Sequence, residues 1–163
     1  MAKIYISLGS NVEREHYVGA GLIALQQAFG DINVSSLFES EAIGFAGAAF
    51  YNLVVAVDTL LSFEDVATLL KKIEFAHGRS IKAKKYSPRT LDLDLLLYNN
   101  VIAQKPAQIP RDEILTNAFV LWPLSELAGE LAHPVNKKTY RQLWQEYDQS
   151  SQKLRKVPLN WPQ

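Results

Sequence analysis

The sequence predicts an α+β fold, an α/β sandwich in which helices pack on an antiparallel sheet. Segments with alternating or continuous apolar residues are typical of strands, and they are interleaved with segments whose apolar residues recur at helical spacing. Over residues 3–98 they follow the order β-α-β-β-α-β, which is the ferredoxin-like pattern. This order places both helices on one face of the sheet and leaves the other face for a site or for further elements.

The first half of this pattern ends at residue 59. Gly9 opens a Gly-Ser-Asn run that is expected to end the first strand, and Gly30 is expected to stop the first helix. The predicted elements are a strand at 3–8, a helix at 17–29, a strand at 32–38, a loop at 41–49 and a strand at 50–59.

The second half begins with a helix for which Ser62 is the predicted N-cap. Asp65 completes a capping box in place of the usual Glu, and Gly78 is expected to end the helix. A basic loop and a further strand follow. C-terminal helical additions are predicted around residues 119–131 and 140–147, and the tail after them is expected to pack loosely. Residues 1–163 are predicted to form a single domain, with a core at 3–135 and a C-terminal extension at 136–163.

Composition limits the possible functions. The formal net charge is zero, so a general polyanion-binding surface is not expected, and nucleic acid is not a predicted partner. The absence of cysteine excludes disulfides and cysteine-bound zinc. The chain shows neither a signal-peptide pattern nor an apolar run long enough to span a membrane. We therefore expect a soluble, cytoplasmic single-domain protein, predicted to be a monomer. An RNA-binding domain is a poor alternative because its strand signature is missing.

The most informative motif is the Asp-Leu-Asp run near residue 93. In a strand, alternate residues share a face, so Asp92 and Asp94 point one way while Leu91, Leu93 and Leu95 point toward a core. Two carboxylates roughly 7 Å apart repel each other unless a cation lies between them. Mg²⁺ commonly binds one or two carboxylates together with water and substrate phosphates. The motif therefore indicates a metal site.

The loop that precedes the two aspartates, residues 79–89, contains charged residues of one sign, all positive. They are Arg79, Lys82, Lys84, Lys85 and Arg89. Metal ligands beside a cluster of cations indicate phosphoryl-type transfer. The alternative is that the two aspartates lie on a solvated face and form salt bridges with these cations.

Several further segments resemble the 6-hydroxymethyl-7,8-dihydropterin pyrophosphokinase (HPPK) family of folate biosynthesis. The matching segments run in the family's order over residues 3 to about 135. They are Tyr5-Ile6-Ser7-Leu8-Gly9-Ser10-Asn11, Phe50 with Asn52, Ile73-Glu74, Gly78-Arg79, Pro88-Arg89-Thr90-Leu91-Asp92-Leu93-Asp94, Ile109-Pro110, Phe119-Val120-Leu121 with Pro123-Leu124, and His133-Pro134. The resemblance implies a kinase that transfers pyrophosphate from ATP to the hydroxymethyl oxygen of the pterin and releases AMP.

The same resemblance implies a role for each matched residue. Asp92 and Asp94 would bind two Mg²⁺ ions, and the catalytic residues would be Arg79, Lys82, Arg89, Asp92 and Asp94. The ATP-binding residues would be Glu74, Arg79, Lys82, Arg89 and Arg111. The pterin-binding residues would be Ser40, Ile43, Phe50, Asn52 and Phe119, with the two rings stacking on the pterin. As alternatives, the two phenylalanines are core residues and Glu74 forms a surface ion pair.

The chain departs from the family pattern at several positions. Ile81 and Asn117 stand where arginines are usual, Arg111 stands where a histidine is usual, and Glu13 replaces a glycine. The segment from Ser40 to Gly44 lacks the usual proline. Three of these changes lie at positions that, by the resemblance, belong to the part of the site that binds the ATP phosphates. A degenerate relative that binds pterin or nucleotide with little transfer is therefore the alternative to an active enzyme.

Overall fold

A computed structural model describes residues 1–40, 49–78 and 90–161 of the chain, and it confirms the α+β class. The helices and strands alternate through the first two thirds of the chain. Their bounds are β1 (Ala2–Ser10), α1 (Arg14–Phe29), β2 (Asn33–Val34), β3 (Leu37–Ser40), β4 (Phe50–Thr59), α2 (Phe63–Ala76), β5 (Asp92–Tyr98), α3 (Glu113–Thr116), α4 (Ala118–Ala128), α5 (Tyr140–Glu146) and β6 (Leu154–Val157). Across these ranges, no helix combines the length and apolar character that a membrane crossing needs.

The sheet is antiparallel, and β1 lies inside it. Its strand order is β5-β1-β4-β3-β6, and β2 also pairs with β4. The register places Gly9 of β1 opposite Asn52 on one side and Asp92 on the other. β1 therefore continues through Gly9 and ends at Ser10, inside the Gly-Ser-Asn run but two residues later than predicted.

Two apolar cores lie on opposite faces of the sheet. The first includes Leu22 and Leu25 of α1 with Leu70 of α2, and the second includes Leu124 of α4 with Tyr140 of α5. Both early helices therefore share one face, as the element order predicts. The C-terminal helices cover part of the other face, which also carries Asn52, Asp92 and Asp94.

A β-bulge in β5 changes the alternation that the sequence predicts. Tyr5 pairs with Leu97 and Ile6 pairs with Leu95, so Leu96 is an extra residue on β5. The other leucines of the motif, Leu91, Leu93 and Leu95, all lie in the first core, as predicted, whereas Leu96 and Leu97 both lie in the second. The bulge therefore ends the strict alternation just after the two aspartates.

The segment predicted as one strand at 32–38 is divided into β2 and β3. The Ser35 hydroxyl accepts a hydrogen bond from the Val54 backbone N–H at 2.9 Å, and the Ser36 N–H donates to Glu126 at 2.7 Å. These side-chain bonds replace part of the regular ladder. A serine that competes for backbone hydrogen bonds interrupts a strand in this way.

The C-terminal tail is ordered against the sheet, so the expectation of loose packing is wrong. β6 pairs antiparallel with β3. Arg155 also donates to Glu39 at 2.7 Å, and Lys156 forms an ion pair with Glu126 at 3.1 Å. β6 therefore covers the edge of the sheet that β3 would otherwise expose.

Helix α1 begins in a left-handed backbone conformation. Glu13, its N-cap residue, has φ of 43° and ψ of 55°, and its side chain makes no capping hydrogen bond. The family usually has glycine here, and only glycine adopts this conformation without a steric penalty. By contrast, the Ser62 N-cap of α2 accepts a hydrogen bond from the Asp65 N–H at 3.1 Å, as predicted.

Glu13→Gly is expected to stabilise the protein. Relief of the left-handed penalty of about 1–2 kcal/mol exceeds the extra chain entropy that glycine loses, about 0.5–1 kcal/mol. The free energy of unfolding from urea titration should therefore rise by about 0.5–1 kcal/mol. Glu15→Gly, inside the first turn of α1, is the control and should lower it by about 0.5–1 kcal/mol. Equal destabilisation by both variants would contradict the account.

Candidate active site

Asp92 and Asp94 lie at the start of β5, on the face of the sheet that carries α4. They pair with Gly9 and Ser7 of β1, and Tyr5, two residues before Ser7, belongs to the second core. Leu93 between them is buried on the opposite face. The Asp94 side chain is 39% exposed. The two carboxylates thus share one partly solvent-accessible face.

The backbone between these aspartates is fixed by Glu74 of α2. A Glu74 carboxylate oxygen, Oε2, accepts a hydrogen bond from the Leu93 N–H at 2.7 Å. Glu74 is only 7% exposed, so it does not lie on the surface as that alternative requires. A buried carboxylate that accepts a backbone N–H forms a strong, charge-assisted bond. Glu74 therefore connects α2 to the strand that carries the aspartates.

Arg111 reaches the same carboxylates from the far side of β5. Its backbone N–H donates to the Leu96 carbonyl at 3.1 Å, so the bulged residue positions it. Its Nη2 lies 3.5 Å from Asp94 Oδ1, and its Nε donates to Glu113 Oε1 at 2.9 Å. Partial burial opposes the charge of the guanidinium, but the attraction of Asp94 and Glu113 is larger and raises the pKa of Arg111. Arg111 is therefore a permanent cation beside the aspartates.

A chain of polar side chains holds Glu113 in place. Its second oxygen, Oε2, accepts a hydrogen bond from Asn117 Nδ2 at 3.2 Å. Gln152 Nε2 donates to Asn117 Oδ1 at 3.3 Å, and Gln152 Oε1 accepts the Ala118 N–H at 2.7 Å. Two departures from the family pattern, Arg111 and Asn117, therefore bind the same carboxylate.

Asn52 occupies the other side of β1. It is 5% exposed, and its Nδ2 donates to the Ser40 hydroxyl at 3.2 Å across the β3–β4 pair. A Cβ on Gly9 would lie 2.8 Å from Asn52 Oδ1, closer than a side chain tolerates. The glycine therefore leaves the space that the Asn52 amide oxygen occupies.

One row across three strands joins the two halves of the predicted site. Asp92, Gly9 and Asn52 are direct neighbours in register, which places the outer two roughly 10 Å apart. Phe50 shares the face of Asn52 because it lies two residues earlier on β4. Phe119 lies on α4 against the second core. Both phenylalanines are only partly buried.

Four predicted site residues lie outside the described part of the chain. They are Ile43, Arg79, Lys82 and Arg89. Ile81, one of the departures from the family pattern, lies outside it as well. Among the described residues, the structure brings Asp92, Asp94 and Arg111 together on one side of β1 and Ser40, Phe50 and Asn52 on the other.

Three residues that contribute to this arrangement were not predicted. Gly9 had a usable signal, since a glycine inside a strand pattern often marks a close approach. Glu113 gave no signal, because its pairing with Arg111 depends on the path of the backbone. Arg14 donates to Glu39 Oε2 at 2.8 Å and to the Ala49 carbonyl at 3.0 Å, and its guanidinium lies 4.0 Å from the centre of the Tyr51 ring. Arg14 thus ties together the two sides of the segment that carries Ile43.

The donor chemistry of the aspartate pair fits a hard divalent cation. Within residues 1–40, 49–78 and 90–161 there is no cluster of three or more histidine, cysteine, aspartate or glutamate side chains suited to a metal. Two carboxylates leave most coordination positions to water and to substrate phosphates. That is the ligand set typical of Mg²⁺.

Known proteins share this sequence and this architecture. The family model of 7,8-dihydro-6-hydroxymethylpterin-pyrophosphokinase (HPPK) matches residues 5–129. The 2-amino-4-hydroxy-6-hydroxymethyldihydropteridine pyrophosphokinase of Aquifex aeolicus is 32% identical over 145 residues, which cover 87% of this chain and 90% of that protein. The enzyme of the same name from Pseudomonas aeruginosa is 36% identical over 137 residues, which cover 81% of this chain and 84% of that protein.

A solved structure agrees with the fold. The crystal structure of wild-type HPPK-DHPS from Plasmodium falciparum superposes with a TM-score of 0.70 at 16% identity and covers 90% of this chain. This chain spans 44% of that longer chain, so the likeness concerns the fold of one part of it. The family match and the sequence relatives identify the family, and the solved structure agrees with that assignment in its fold. The chain belongs to the 7,8-dihydro-6-hydroxymethylpterin-pyrophosphokinase family.

Proposed function

We propose that the chain transfers a pyrophosphoryl group from ATP to 6-hydroxymethyl-7,8-dihydropterin and releases AMP, as a step of folate biosynthesis. Family membership and relatives that carry this enzyme name support the activity. The structural observation that carries the proposal is the row of Asp92, Gly9 and Asn52, with Asp94 on the same face two residues along β5. Nothing observed favours the alternative of a degenerate relative without transfer.

In this proposal Asp92 and Asp94 hold two Mg²⁺ ions. Bound there, Mg²⁺ would neutralise phosphate charge and favour in-line transfer to the pterin hydroxyl. The protein contributes a rigid frame for both carboxylates, because β1 pairs with β5 and Glu74 holds the Leu93 N–H. Preorganisation of this kind keeps the charges at the positions that the transition state requires.

The proposed ATP side consists of cations around this frame. Arg111 is the described member, and its guanidinium offers planar donors that suit phosphate oxygens. The other proposed contacts to ATP are Glu74, Arg79, Lys82 and Arg89. Glu74 is only 7% exposed, so little of it is accessible to ATP. Its main contribution in this proposal is to hold β5 through the Leu93 N–H.

The proposed pterin side consists of two aromatic rings and one amide. Phe50 and Phe119 would stack on the flat ligand, and Asn52 would read its polar edge. An amide has two donor hydrogens and an acceptor oxygen, and the bond to Ser40 uses one of the hydrogens. Ile43 completes the proposed set. The cytoplasmic location and the monomeric state expected from the sequence remain predictions.

Replacement of Asp94 tests the enzyme directly. In Asp94→Asn the size of the side chain is kept but its charge is lost, so AMP release from ATP, pterin and Mg²⁺ should fall by about 10³-fold. Asp58→Asn, at an exposed ion pair with Lys3, is the control and should keep full activity. If the unaltered protein releases no AMP above background, the proposed function is wrong. If Asp94→Asn retains full activity, the assignment of Asp94 to the active site is wrong.

Gly9→Ala tests the pterin side. The added methyl group would lie 2.8 Å from Asn52 Oδ1, so the amide must move. Pterin affinity from ligand fluorescence should fall by about tenfold or more, because a displaced amide leaves a ligand polar group without its partner. Gly19→Ala is a matched control, since a Cβ there meets nothing within 4 Å. Equal pterin affinity in both variants, with both folded, would remove Asn52 from the pterin site.

A further inference from the structure

Arg111 binds its two carboxylate partners unequally. The Nε–Glu113 distance of 2.9 Å is that of a well-formed charge-assisted hydrogen bond, whereas Nη2 lies 3.5 Å from Asp94. The Arg111 and Asp94 side chains are 31% and 39% exposed, so water reaches both. The guanidinium is therefore anchored at its Nε by Glu113 and only loosely engaged with Asp94 at the other end.

A cation in this position opposes the binding of a divalent ion. Asp94 attracts both Arg111 and a metal ion, and these two positive groups repel each other over a few ångströms. Even in the dielectric of bulk water, one unit charge about 5–6 Å from a divalent ion changes its dissociation constant by about tenfold. An uncharged side chain in this position would oppose the metal less.

We infer that Arg111 is an exchangeable counter-ion of Asp94, which lowers the metal affinity of the nucleotide-free protein and moves to the phosphates when metal and ATP bind together. This inference rests on the proposed function, because it takes Asp92 and Asp94 as metal ligands. Its consequence is a site that binds the divalent ion together with the nucleotide and poorly without it.

The anchor on Glu113 makes such an exchange possible. Asn117 occupies the second oxygen of Glu113, and Gln152 holds Asn117 in turn, so the carboxylate keeps its orientation. When Asp94 turns to the metal, Nε stays on Glu113 and the Nη groups remain at the site. Planar Nη donors that lose one carboxylate are suited to donate hydrogen bonds to phosphate oxygens instead.

The test measures Mn²⁺ binding to the nucleotide-free protein by electron paramagnetic resonance. Arg111→Met removes the charge and keeps an apolar stem, and it should bind Mn²⁺ about tenfold more tightly than the unaltered protein. Arg111→His at pH 8 should show the same direction, which provides a second variant if the first does not fold. Arg111→Lys keeps the charge and should stay within about threefold of the unaltered protein.

A second measurement tests whether Arg111 binds the phosphates of ATP. Because a charge-assisted contact to phosphate is lost, Arg111→Met should bind ATP with Mg²⁺ at least tenfold more weakly. Arg141→Met, which breaks an ion pair with Glu130 on the exposed surface, is the control and should change neither affinity. Unchanged Mn²⁺ affinity in both Arg111→Met and Arg111→His would overturn the inference. An equal gain in Arg141→Met would overturn it as well.

Asp94→Asn separates failure of the inference from failure of the proposed function. If this variant binds Mn²⁺ as tightly as the unaltered protein, the metal assignment fails, and the inference fails with it. If Asp94→Asn weakens Mn²⁺ binding while neither Arg111 variant strengthens it, only the inference about Arg111 fails.

Discussion

The pairing of β1 with β4 on one side and with β5 on the other decides which side chains meet at the site. Gly9 lies opposite both Asn52 and Asp92, so one residue of β1 sets the register of the proposed pterin side and of the proposed metal side together. A register shift by a single residue would turn either strand's polar side chains toward the first core. The missing Cβ at Gly9 completes the arrangement, because the Asn52 amide oxygen occupies the space above it.

Two supports hold this register at β5. Glu74 reaches from α2 to the Leu93 N–H, and the Leu96 carbonyl, at the bulge, accepts the N–H of Arg111. Bulges often lie next to active sites because they redirect neighbouring groups. Here the bulge follows the aspartates directly and places a cation beside them. Arg111 and Asn117, two departures from the family pattern, then form a hydrogen-bond network around Glu113.

Local patterns predicted much of the fold. The alternation of leucine and aspartate around Leu93, the Ser62 cap and the strand at 50–59 all depend on neighbours a few residues away. What the sequence did not predict depends on distant partners. β6 pairs with β3, and Arg155 bonds Glu39 from 116 residues away. The division at Ser35 and the pairing of Arg111 with Glu113 likewise depend on tertiary geometry, which periodicity does not encode.

The central claim is that Asp92 and Asp94 hold the metal between ATP and pterin. A crystal structure with Mg²⁺, a non-hydrolysable ATP analogue and the pterin tests it most directly. The account predicts metal–oxygen distances of about 2.0–2.1 Å to both carboxylates, with the pterin beside Asn52. Metal ions bound only by phosphate and water, with both carboxylates turned away, would contradict it.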